Sequence, residues 1–225
     1  MTNKKRTFAI MIITVIACII MAIVDGVIQP DYVVKSSVKL VRFLSLPMIY
    51  AIFDKEIDIK SLFKANRRGM KTAFLLCIPV FVIILGAYLL LKDVFDFSAV
   101  TASLTANIGV NKHNFVFVAL YISFVNSLLE EFFFRGFAFL VLRKTASDRF
   151  AYTFSAAAFA LYHIAIMTGW FSVVVFAITM VGLFAGGLIF NFLNTKSNNI
   201  YTSWFVHMFA NFAINTIGFM LFGII

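Results

Sequence analysis

The chain has 225 residues, 62% hydrophobic and only 13% charged, which leaves too little polar surface to cover a water-soluble globule. Its formal charge is +9, from 19 Lys and Arg against 10 Asp and Glu, but the excess sits in short loops beside apolar segments. There it reads as membrane topology and contact with anionic lipid, and it speaks against nucleic acid as a partner. The two cysteines, Cys18 and Cys77, both fall inside apolar runs, so neither a disulfide framework nor a cysteine metal site is expected.

Crossing a hydrocarbon core about 30 Å thick takes about 20 apolar residues, and the chain supplies that length repeatedly. The runs are continuous rather than alternating, which predicts helices and not barrel strands. Spans are expected at 7–24, 33–53, 72–91, 115–139, 150–167, 170–193 and 200–225. The expected fold is all-α, a polytopic transmembrane helical bundle of about seven spans (six to eight) in a single membrane domain over 1–225.

The first run follows Lys4, Lys5 and Arg6 and lacks a small-residue cleavage site, so it reads as a retained anchor. The second carries Lys35, Lys39 and Arg42 on one helical face, a pattern that also suits a helix lying in the interface. The loop 54–71 holds Lys55, Lys60, Lys64, Arg67, Arg68 and Lys71, and the later connections carry Lys144, Arg149 and Lys196. By the positive-inside rule these are cytoplasmic, as is the amino terminus with seven crossings, while the loop 92–114 falls outside. Gly182 and Gly186 have the spacing that lets helices approach closely.

Charges inside the fourth span need an explanation. Glu130, Glu131 and Arg135 lie within it, and one charge near the bilayer centre costs about 2.5–3.5 kcal/mol. Glu131 and Arg135 are i and i+4 on a helix and can form an ion pair, which leaves Glu130, about 100° round the axis, for another partner. His163 lies in the fifth span, and His207 in the seventh with Asn211 one turn further along the same face. Counting about 1.5 Å per residue from the cytoplasmic charges puts Glu130, His163 and Asn211 at one level, about 18–21 Å deep, with His207 a turn shallower.

A buried carboxylate can act as general base on water, an imidazole can share the proton, and His and Asn can stabilise an oxyanion. That set suits amide hydrolysis. The same two His and one Glu are also the ligand types of a catalytic zinc site, with Glu130, His163 and His207 as the ligand set, so the chemistry stays open between the two. No HExxH, no GxSxG and no pair of aspartates within spans occurs. Tyr162, Asn126 and Trp204 flank these positions and could line a groove.

Glu130-Glu131-Phe132-Phe133-Phe134-Arg135, Phe159-Ala160-Leu161-Tyr162-His163 and His207-Met208-Phe209-Ala210-Asn211 read as EExxxR, FxxxH and HxxxN, in order on three apolar segments. Together they resemble the CAAX protease and bacteriocin-processing (CPBP, or Abi) family of intramembrane peptidases. The resemblance covers 115–225, which makes that part the expected catalytic core and 1–114 accessory spans. It implies a helical bundle with a cavity open to the cytoplasm and a peptide or membrane-protein substrate, while the short loops point to a bacterial plasma membrane as location. It also implies that Glu130 and His163 activate water, that His207 and Asn211 form the oxyanion hole, and that Glu131 with Arg135 supports the site. A peptide-binding immunity or scaffold protein without essential catalysis is the alternative, and a proton-relay transporter a third reading.

Overall fold

Five helices begin where the sequence supplies a side chain for amide groups that lack an intrahelical partner. Thr2, Asp31, Asn66, Ser147 and Ser172 each accept a hydrogen bond from a backbone N–H of the first turn that follows. The computed structural model describes residues 1–225 and contains helices only: α1 (Asn3–Ile28), α2 (Tyr32–Phe53), α3 (Arg67–Leu91), α4 (Ser98–Ile108), α5 (Phe115–Lys144), α6 (Asp148–Met167), α7 (Val173–Ser197) and α8 (Tyr201–Leu221). All except α4 are long and apolar enough to cross a membrane, so the expected seven spans are present. The segment expected as the loop 92–114 contains α4.

The cations of the second segment do not form one outward face. Two of its three cations turn inward: Lys35 pairs with Asp25 at the end of α1 at 2.7 Å, and Lys39 is buried against α5, while Arg42 stays exposed. At the opposite end of the same hairpin, Arg6 donates to both carboxylate oxygens of Asp54 at 2.5 and 2.9 Å. α2 is therefore fastened at both ends and in its middle.

α5 occupies the centre of the bundle. Every residue from Glu131 to Val141 is buried, and Phe132, Phe133, Phe134, Phe137 and Phe139 form the heart of the core with Phe43, Phe159 and Tyr162. Around it α3 runs along α8, α6 along α7, and α1 along α6. Outer faces expose Leu75, Ile78, Val82 and Ile83 on α3 and Val174, Ile178 and Val181 on α7, as lipid-facing helices require.

Gly182 and Gly186 do not mediate a helix contact, since a Cβ at either would meet nothing within 4 Å. Their neighbour Gly187 does: a Cβ there would lie 3.0 Å from the Cα and Cβ of Ala156 on α6. The small-residue spacing marks the right helix and the wrong face.

Most of α5 is wider than an α-helix. Two stretches with i→i+5 hydrogen bonding, Tyr121–Asn126 and Glu131–Val141, flank the α-helical turn Ser127–Glu130. Such turns hold more residues and rise less per residue, and they recur at functional sites.

Candidate active site

That widening resets the depths expected from a uniform helix. Eleven residues of π-helix separate Glu130 from the charged end of α5, so Glu130 sits closer to that end than 1.5 Å per residue would place it. It meets His207 rather than Asn211. His207 Nε2 lies 3.7 Å from Glu130 Oε2, and its Nδ1–H donates to Glu131 Oε1 at 2.9 Å. The residue expected a turn too shallow is the one at the acids, and Asn211 stands one turn away, its Nδ2 donating to the carbonyl of Ile122 at 3.2 Å.

Glu130 and Glu131 have different surroundings. Glu131 and Arg135 form the expected i,i+4 pair, at 3.6 Å between Oε2 and Nε, with both side chains wholly buried. The pair is loose: Glu131 Oε2 and all three guanidinium nitrogens of Arg135 lack a hydrogen-bond partner in the chain. Arg135 instead stacks over the ring of Phe159 at 3.9 Å and faces Phe190 at 5.1 Å. Guanidinium is weakly hydrated and planar, and aromatic faces on two sides offset part of the cost of its burial.

Glu130 has the partner that the sequence left open. The ammonium of Lys39, from α2, donates to Glu130 Oε1. It also donates to Asn126 Oδ1 at 2.5 Å, and Asn126 Nδ2 in turn donates to the same Oε1 at 3.1 Å. Lys39 lies over the ring of Tyr162 at 4.9 Å. One oxygen of Glu130 is thus held by two donors, and the other points toward His207 with its lone pairs free.

His163 is half-buried, and its Nδ1 lies 2.7 Å from the carbonyl oxygen of Phe159. A carbonyl only accepts, so Nδ1 carries the proton and Nε2 keeps its lone pair. Phe159 therefore serves twice, its carbonyl fixing the His163 tautomer and its ring carrying Arg135. Of the flanking residues, Asn126 touches the site directly at Glu130 and Tyr162 touches it through Lys39, whereas Trp204 Nε1 donates to Ser127 Oγ at 3.0 Å and braces α8 against α5.

The zinc ligand set Glu130, His163 and His207 does not fit a metal ion as it stands. No three His, Cys, Asp or Glu side chains converge on a common point. Hydrogen bonding at Nδ1 leaves Nε2 of both histidines available, but Lys39 occupies the Oε1 side of Glu130 and leaves only Oε2. A cavity of about 510 Å³ lies between the end of α1, the start of α2, α4 and the end of α6. Its walls include Asp25, Lys35 and Trp170 but none of Glu130, Glu131, His163, His207 or Asn211.

Sequence reasoning missed Lys39 as a site residue. The available signal was the unassigned Glu130, which needed a cation, and the inward-facing candidates in another span were Lys35 and Lys39.

Residues 112–213 match the family model described as Rce1-like, type II CAAX prenyl endopeptidase Rce1-like. Neither curated proteins nor solved structures give a match.

Proposed function

From the premise that residues 112–213 form an Rce1-like domain within a multi-pass membrane protein, we propose that the chain is an intramembrane endopeptidase that hydrolyses a peptide bond through a carboxylate-activated water. The observation that carries this reading is the asymmetry of Glu130. Oε1 is committed to Lys39 and Asn126, and Oε2 is open and faces an imidazole 3.7 Å away.

In the proposed reaction a water against Oε2 gives its proton to Glu130 as the oxygen attacks the substrate carbonyl. The proton resides on Glu130 or, after crossing to Nε2, on His207, whose imidazolium is offset by Glu131 at Nδ1. His207 then donates Nε2–H to the oxyanion, and Asn211, on the same face of α8, contributes its second amide hydrogen. As the intermediate collapses to a carbonyl and no longer needs that hydrogen bond, the same proton passes to the leaving amine by way of the unprotonated Nε2 of His163. Arg135 and Glu131 balance each other and hold His207 in place.

The substrate class is a peptide or a membrane-protein segment reaching the site from the membrane. The Lys- and Arg-rich connections at 54–71 and 144–149, together with Lys196, support a cytoplasmic amino terminus, and the short loops support a bacterial plasma membrane. No step is assigned to a metal.

The test is cleavage of a quenched peptide library by the purified protein in detergent. Glu130→Gln is expected to lose about 10²–10⁴-fold in rate with the fold intact. Equal residual cleavage in wild type and variant would overturn the reading in favour of a protein that acts by binding.

A further inference from the structure

The charges buried at the centre of the bundle cancel. Glu130 and Glu131 stand against Lys39 and Arg135, and all four side chains are buried. With both imidazoles neutral, the set carries no net charge. A divalent ion placed between Glu130 and the histidines would leave two positive charges without counterparts in a medium of low dielectric. It would also compete with an ammonium already seated on Oε1.

Geometry assigns that ammonium a second consequence. A free carboxylate can rotate and offer either oxygen, with no fixed direction for its lone pairs. Here Lys39 and Asn126 grip Oε1 together, Lys39 is itself fixed by Asn126 Oδ1, and the ring of Tyr162 lies beneath the ammonium. Oε2 is left as the oxygen directed at His207. Lys39 belongs to α2, outside the segment 112–213 that carries the matched domain, so this contact is supplied by the accessory part of the chain.

We propose that Lys39 is a positioning residue and the resident cation of this site: it fixes Glu130 through Oε1 so that Oε2 meets the water, and its charge keeps divalent metal out. The first half rests on the peptidase reading. The second stands on charge and geometry alone.

The experiment compares wild type, Lys39→Met and Lys39→Arg, each as purified full chain in detergent. Peptide cleavage is followed as kcat and KM, and cobalt(II) binding by visible absorption. Lys39→Met is expected to lose about 10–100-fold in kcat, on the scale of an orienting partner, with KM little changed. Lys39→Arg keeps a cation on Oε1 and restores most of that loss. Wild type and Lys39→Arg should show no bands of ligated cobalt and no loss of cleavage with chelator. Lys39→Met should acquire the bands, and adding Glu130→Gln should abolish them.

Cobalt bands in wild type, or chelator inactivation reversed by zinc, would overturn the proposal. So would a Lys39→Met enzyme with wild-type kcat, or one whose loss Lys39→Arg does not restore. If Lys39→Met fails to fold, Lys39→Arg and the wild-type cobalt titration still decide. If wild type cleaves no peptide, the peptidase reading fails by itself, and the cobalt arm alone upholds or overturns the role of Lys39.

Discussion

The site has two walls of different construction. On one side α5, α6, α7 and α8 enclose Glu131, Arg135 and His207 with the rings of Phe159 and Phe190, and the Glu131 and Arg135 side chains are wholly buried. On the other side a single long side chain from α2, Lys39, reaches Glu130 with its ammonium over the ring of Tyr162. Two adjacent acids are thereby separated in use. The enclosed one holds an imidazole, and the one gripped by Lys39 and Asn126 keeps an oxygen open toward His207, the oxygen to which the proposed chemistry is assigned.

Five substitutions break or sharpen that contrast. The largest effect is expected at Glu130, where Gln removes the base and abolishes nearly all cleavage. It should cost less stability than the same change at Glu131, because Lys39 keeps Asn126 and the ring of Tyr162 and can still donate to the Gln carbonyl oxygen. Gln at Glu131 should behave in the opposite way, since Arg135 is left buried without a counter-charge. A stability loss of about 3–5 kcal/mol is expected, read as thermal unfolding in detergent, with activity lost as a by-product. If Glu131→Gln proves as stable as Glu130→Gln, the two walls are not distinct.

Next comes the packing of the enclosed wall. Val at Gly187 must displace Ala156 and should cost about 1–3 kcal/mol, whereas Ala at Gly186 meets open space and should be neutral or stabilising. The smallest effect belongs to the α1–α2 hairpin that carries Lys39. The Arg6 guanidinium, hydrogen-bonded to Asp54, holds its carboxyl below the usual carboxylate range. The stabilisation is present above the unfolded pKa of about 3.9 and is lost as pH falls through the folded value. Asp54→Asn should flatten that acid dependence by at most about 1 kcal/mol in an unfolding series across acid pH.

The seven spans were legible because hydrocarbon imposes one length and one composition on whatever crosses it, and the three motifs were legible because charge in an apolar run has no neutral explanation. What stayed hidden depends on geometry that residue types do not encode. A uniform rise per residue put Asn211 level with Glu130. The π-helical stretch Glu131–Val141 moves the acid by an amount no periodicity in the sequence announces, and brings it to His207. Lys39 was visible as a charge in a span, but its face could point to headgroups or to the core, and only the packing of α2 against α5 selects the core. α4 was hidden for the opposite reason, being too short to register as a span and embedded in a segment that reads as a loop.

The pairing of Lys39 with Glu130 has a consequence for how the protein is made. The two residues are separated by 91 positions, so at ribosomal speeds of about 5–20 residues per second Lys39 precedes its counter-charge by on the order of ten seconds. During that interval α2 must hold an uncompensated ammonium in or beside the hydrocarbon. The counter-charge for the second span thus arrives only with α5, and a nascent chain halted before Glu130 is expected to leave Lys39 open to modification by a water-soluble amine reagent.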